Sequence, residues 1–197
     1  MNEQNIIRQA LEPVIETFHR LQIRYFIGGS VAASYYGLSR TTVDVDLSVE
    51  LDRSQVEKLV ISLQNSHYLS ESAIEAALRE QSSFNLIHFE TAFKVDCFIS
   101  HRRDFDLIAF ERAIEQPLGV AQPLQVRVAT AEDVILLKLG WFRLTDETSD
   151  RQWGDLLAIA KSRYSELDQT YLRKWAPELG VADLLEKLLE IGKNFAT

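Results

Sequence analysis

The stretch Arg24-Tyr25-Phe26-Ile27-Gly28-Gly29-Ser30, followed after thirteen residues by Asp44-Val45-Asp46-Leu47-Ser48-Val49, carries the pattern on which the fold turns. Arg24 to Ile27 reads as a short strand, Gly28-Gly29-Ser30 as a turn, and the small-residue segment Val31 to Tyr36 as a helix stopped by Gly37. Thr42 to Val49 alternates, with Val43, Val45, Leu47 and Val49 on one face and Asp44, Asp46 and Ser48 on the other, as expected of a strand with one wet face. Two carboxylates at i and i+2 on such a strand point the same way, about 6.6 Å apart along the backbone, close enough to share a cation.

A third acid belongs to the same question. Phe93 to Ile99 reads as a strand in which Asp96 lies beside Val95 and near Phe98, so its carboxylate must face something polar or suffer a large burial cost. If the two strands are neighbours, Asp44, Asp46 and Asp96 converge, and three hard oxygen ligands suit Mg²⁺ or Mn²⁺ and do not suit zinc. Gly28-Gly29-Ser30, between strand and helix, can turn unhindered backbone N–H groups and the Ser30 hydroxyl toward a phosphate. The segment lacks the Gly-Lys-Ser/Thr ending of a P-loop, and it lacks the third glycine and acidic ribose partner of a dinucleotide fingerprint, so both of those readings are excluded.

The rest of the chain surrounds these motifs with ordinary elements. Asn5 to Leu21 has apolar residues at helical spacing, with Pro13 as a mark against its continuity. Asp52 or Ser54 can cap a helix reaching Gln64, and another helical stretch covers Ser72 to Leu78. Phe84 to Phe89 and Phe93 to Ile99, joined by Glu90-Thr91-Ala92, suit an antiparallel hairpin. A helix from Phe105 to Ile114 and a strand pair near Val120 and Leu124 to Val128 follow. From Thr130, which with Asp133 resembles a capping signal, helices are predicted over Ala131 to Leu144, Arg151 to Arg163, Gln169 to Ala176 and Val181 to Ile191, with a polar hinge at Thr145 to Ser149.

Composition narrows the function classes. The chain has 197 residues, 46% of them hydrophobic, enough to bury a core without disulfide or metal staples. Cys97 is the only cysteine, which excludes an internal disulfide and a cysteine-based zinc site and fits a reducing cytoplasm. Cys97 alternates with Asp96 and is expected in the core. His19, His67, His88 and His101 show no metal-ligand spacing, and Trp141, Trp153 and Trp175 fall on helical stripes as core or interface residues. No signal peptide or membrane span is expected. A net charge of −8 argues against a long nucleic acid as partner, because phosphate neutralisation drives such binding.

With the motifs in view, Ile27-Gly28-Gly29-Ser30, the spacer, Asp44-Val45-Asp46-Leu47 and the later Asp96 resemble the nucleotidyltransferase superfamily typified by DNA polymerase beta. Within it, Gly28 to Leu47, including Gly37, Arg40, Thr42 and Asp44, looks most like bacterial AbiEii-type and minimal nucleotidyltransferases. Lys138-Leu139-Gly140-Trp141-Phe142-Arg143 and Asp150-Arg151-Gln152-Trp153-Gly154-Asp155 look like the helical tail of uncharacterised bacterial nucleotidyltransferase-like proteins. From the residues alone, Lys138 interrupts an apolar run and must either snorkel or meet an anion, while Asp155 stands at i+4 from Arg151 and suits a helix-surface pair.

The resemblance implies an α/β (α+β) fold, with a mixed sheet flanked by helices in a core over residues 1–129 and a helical C-terminal region over 130–197 packed on it. It implies transfer of a nucleoside monophosphate from a nucleoside triphosphate to an acceptor hydroxyl, with release of pyrophosphate. Asp44, Asp46 and Asp96 would then be catalytic and hold Mg²⁺ or Mn²⁺, while Gly28, Gly29, Ser30, Arg40, Thr42 and Lys138 would bind the nucleotide. The acceptor is left open between a small molecule, a protein and an RNA end. The alternative is a non-catalytic nucleotide-binding module or a partner in a toxin–antitoxin pair, with an antitoxin-like protein beside it.

Overall fold

The first helix, α1 (Glu3–Leu21), buries the stripe Ile7, Leu11, Val14, Ile15 and Phe18. Pro13 stands inside it and does not end it. The lost backbone bond and ring clash cost about 3 kcal/mol, and the buried stripe outweighs that at about 1.5–3 kcal/mol per side chain. The computed structural model describes residues 3–37, 42–119 and 123–195.

Beyond α1 the chain forms β1 (Arg24–Ile27), β2 (Asp44–Glu50), β3 (His67–Tyr68), β4 (Ser83–His88), β5 (Lys94–Ile99), β6 (Ile114–Leu118) and β7 (Leu124–Val128). They make one sheet in the order β3-β4-β5-β2-β1-β7-β6. Two of its pairings, β2 with β5 and β1 with β7, are parallel and the rest antiparallel, so the sheet is mixed and the fold α/β, as the sequence predicts. Val45, Leu47, Val49, Val95 and Cys97 point to one face and are buried. On that face α1 sets Phe18 5.7 Å from Tyr25, with α3 (Val56–Leu63) alongside α1, and α4 (Glu71–Glu80) packs on β4. α5 (Asp104–Arg112) lies on the other face, where the Phe110 ring centroid is 4.8 Å from that of Phe26.

The chain divides into two compact units, Met1–Gly28 with Thr42–Val128, and Gly29–Thr41 with Ala129–Thr197. The first holds the sheet and the helices just described. The second holds α2 (Gly29–Ser34), α6 (Ala131–Leu144), α7 (Asp150–Arg163), α8 (Gln169–Trp175) and α9 (Ala182–Lys193). Thr130, Ser149 and Asp168 cap α6, α7 and α8 by accepting a backbone N–H three residues on. The core of this unit is aliphatic, drawn from Ile135, Leu139, Leu156, Ile159, Leu172 and Leu185. After α2 the chain turns at Gly37, whose φ of +105° favours glycine, and where an added Cβ would fall 2.4 Å from Ser162 Oγ. Trp175 is buried as expected, whereas Trp141 is 45% exposed.

Several sequence expectations shift. β2 begins at Asp44, so Val43 is outside the strand and 74% exposed instead of joining Val45 on the apolar face. Ile114 opens a strand instead of closing a helix, because α5 ends at Arg112. β6 carries Pro117, which an edge strand tolerates since one side makes no ladder bonds. Val120 lies outside the described residues. No helix among the described residues is long and apolar enough to cross a membrane.

At the β3 edge, His67 and His88 stack with ring centroids 5.0 Å apart, and both are buried. His67 Nε2 donates to the Ala10 carbonyl at 2.8 Å and Nδ1 lies 2.9 Å from Ser66 Oγ. Burial, with a lesser push from His88, depresses its pKa below the ordinary 6.5. The unfolded chain therefore takes up this proton more readily, and the stability it brings is present above pH 6.5 and is lost as pH falls through the depressed folded value. His67→Gln, which keeps a donor for Ala10, should show a smaller fall in urea midpoint between pH 7.5 and 5 than the wild type.

Candidate active site on the polar face of the sheet

β2 and β5 run parallel and in register, with Asp44 opposite Lys94, Val45 opposite Val95 and Asp46 opposite Asp96. Alternation sends Val45, Leu47, Val95 and Cys97 into the core and leaves Asp44, Asp46, Lys94 and Asp96 half-buried on the opposite face. Neighbouring strands lie about 4.8 Å apart, so Asp46 and Asp96 stand side by side. On the far side of β5, Asn85 continues the Asp46–Asp96 row. The condition set by the sequence, that the two acidic strands be neighbours, is met.

Lys94 is the residue that sequence reasoning missed. Its Nζ lies 2.6 Å from Asp96 Oδ2, with the lysine side chain 42% and the aspartate 15% exposed. The hydrogen bond to Asp96 raises the ammonium pKa most, the charges of Asp96, Asp44 and Asp46 add to it, and partial burial opposes them. The signal was available, since Lys94 precedes Asp96 by two residues and must share its face. Three carboxylates against one ammonium leave the face negative. The donor set is entirely carboxylate oxygen and fits a hard divalent cation. Among the described residues, however, no three His, Cys, Asp or Glu side chains gather into a group that could hold a metal.

The other predicted residues take various places. Thr42 is buried, and its hydroxyl lies 2.9 Å from the Asp44 carbonyl oxygen and 3.3 Å from Asp44 Oδ1, so it braces the first carboxylate. Gly28 donates its N–H to the Asp46 carbonyl at 2.8 Å, which extends the β1–β2 ladder by one residue. That N–H is spent within the sheet, so Gly28 is not the phosphate donor the sequence suggested. A Cβ added at Gly28 would meet nothing within 4 Å. Gly29 sits at φ +54°, a left-handed conformation that glycine adopts freely, and Ser30 is buried in α2. Arg40 lies outside the described residues. Cys97 is buried, and burial pushes its thiol pKa up, which suits a core residue and not a nucleophile.

Lys138 belongs to the helical unit and has a different partner from the one expected. It is 4% exposed, its Nζ lies 2.7 Å from Asp155 Oδ2, and it also donates to Gln152 Oε1 at 3.2 Å. The anion it meets is thus a carboxylate of the chain, and Asp155 pairs with Lys138 from inside instead of with Arg151 on the surface. Arg143 is held by Glu147 and Asp183, and Arg151 is exposed. Elsewhere in the first unit, a groove of about 310 Å³ at the C-terminal ends of β2 and β5 has two of its arginines tied to acids, Arg53 to Glu75 and Arg102 to Asp52, and it includes none of Asp44, Asp46 and Asp96.

Neither a protein-family model nor a curated protein sequence matches the chain. Solved structures do. An antigenic nucleotidyltransferase-like protein from Paracoccidioides brasiliensis superposes with a TM-score of 0.51 at 16% identity, covering 93% of this chain and 92% of that one. The antibiotic-resistance factor ANT(2'')-Ia gives 0.49 at 14% identity over 98% and 91% of the two chains. The lincosamide antibiotic adenylyltransferase LnuA gives 0.45 at 14% over 76% and 94%. The chain has the nucleotidyltransferase-like fold.

The buried Lys138–Asp155 pair makes a separable prediction. Asp155→Ala leaves an uncompensated ammonium in the helical unit and should cost about 3–5 kcal/mol in urea denaturation, whereas Lys138→Met/Asp155→Leu should recover most of that loss.

Proposed function

We propose that the chain is a nucleotidyltransferase, moving a nucleoside monophosphate from a nucleoside triphosphate to an acceptor hydroxyl with release of pyrophosphate. The observation that carries this reading is the in-register pairing of Asp46 with Asp96, beside Asp44, on the half-exposed face of a nucleotidyltransferase-like sheet. In the reaction the acceptor oxygen forms a bond to the α-phosphorus, and the bond from that phosphorus to the bridging oxygen of pyrophosphate breaks with its electron pair. Most of what a protein contributes to such a transfer is positioning and charge stabilisation.

Asp44 and Asp46, with Asp96 completing the site, would hold Mg²⁺ or Mn²⁺, which when bound neutralises phosphate oxygens and makes the acceptor hydroxyl easier to deprotonate. Asp96 receives the acceptor proton on its carboxylate. Thr42 keeps Asp44 in place through its carbonyl and carboxylate oxygens. The backbone N–H of Gly29 and the Ser30 hydroxyl are the donors assigned to the β and γ phosphates, and Arg40 is the cation assigned to the charge that builds on them. Lys138, occupied by Asp155, takes no part in this reading. The net charge of −8 favours a small molecule or a protein as acceptor over a long RNA.

Calorimetric titration with each nucleoside triphosphate and Mg²⁺ tests the reading. Metal-dependent binding is expected in the wild type and its loss in Asp44→Asn/Asp46→Asn, with the thermal midpoint preserved. Asp96→Asn should keep nucleotide binding and lower pyrophosphate release on the order of 10²–10⁴-fold. Full turnover in Asp96→Asn would refute its role.

A further inference from the structure

Lys94 occupies a position that the proposed chemistry does not use. It stands opposite Asp44 across the parallel pair and grips Asp96 two residues along its own strand, with Nζ 2.6 Å from Oδ2. That distance is short for a charge-assisted N–H···O bond, so one oxygen of Asp96 already has a cation against it. The carboxylates of Asp44 and Asp46 also act on the same ammonium. Among the described residues the three acids do not form a three-ligand group, and the ammonium lies against one of them, Asp96.

We propose that Lys94 is a built-in counter-ion that competes with a divalent cation for Asp96. Without nucleotide, Asp44 and Asp46 take a metal ion while the ammonium holds Asp96 back from it. Asp96 joins the cation site only when Lys94 moves away. The lysine can do so, since its side chain is 42% exposed and its stem is flexible and ends in a well-hydrated ammonium. Lys94 is therefore a positioning residue, and it sets how many carboxylates a metal meets before the substrate arrives. The inference rests on the reading of Asp44, Asp46 and Asp96 as metal ligands.

Mn²⁺ binding to the nucleotide-free protein, followed by the electron paramagnetic resonance signal of free Mn²⁺, tests it without any turnover. Lys94→Gln should tighten Mn²⁺ binding roughly tenfold or add a second equivalent, the scale expected when a unit charge is removed at close range. Lys94→Arg should behave as the wild type. The decisive comparison is Lys94→Gln in an Asp96→Asn background, where the gain should vanish because the contested carboxylate is gone. An equal gain in that background would show only a general charge effect and overturn the proposal, as would unchanged binding in Lys94→Gln. If the wild type binds Mn²⁺ and Asp44→Asn/Asp46→Asn does not, the reading of the site survives even where the Lys94 proposal fails. Absence of Mn²⁺ binding in every protein, with and without ATP, would overturn both.

Discussion

Everything on the polar face depends on the parallel, in-register pairing of β2 with β5. Side chains alternate along a strand, so a slip of one residue would send Asp46 into the core and Val45 into water, and the same holds for Asp96 and Val95. The register is enforced from behind. Val45, Leu47, Val95 and Cys97 are fully buried, and a one-residue shift of either strand would turn its apolar side chains outward. The hydrophobic effect thus positions the carboxylates although none of them contributes to it. Gly28 adds a second restraint by bonding the Asp46 carbonyl, which ties the end of β1 to the acidic strand.

Two lysine–aspartate pairs among the described residues, Lys138–Asp155 and Lys94–Asp96, differ in their access to solvent. Lys138 and Asp155 are 6% and 4% exposed at their side chains and neutralise one another among aliphatic helices, where neither can be removed singly without leaving a bare charge. Lys94 and Asp96 keep one partner in water, so their contact can be exchanged for another. Similar distances, 2.7 and 2.6 Å, therefore describe a fixed internal strut in one case and a replaceable contact in the other.

Much of this was legible in the sequence where one periodicity dominated. The alternation of Asp44 to Val49, the hairpin around Glu90-Thr91-Ala92 and the capping pattern at Thr130 all describe local physics, and the structure forms them close to where the sequence puts them. The parallel pairing of β2 with β5 could be posed only as a condition, because strands about 50 residues apart announce nothing about their neighbours. Non-local pairing also hid the partners of lysines. Lys138 was visible as an anomaly in an apolar run, but Asp155, seventeen residues on, was assigned to the surface because Arg151 sits at helical spacing from it. Lys94, near the start of its strand, reads from the sequence as an ordinary polar end. β3, at two residues, has too little length to show any period.

Cys97 lies directly behind the acidic row, opposite Leu47, and is fully buried. As the only cysteine of the chain, it cannot react with an alkylating reagent while β5 stays packed between its neighbours. Thiol modification of the native protein thus measures a single event, the opening of the sheet at its centre. The molecule carries its own clock for that motion, one residue away from Asp96 and requiring no engineered label.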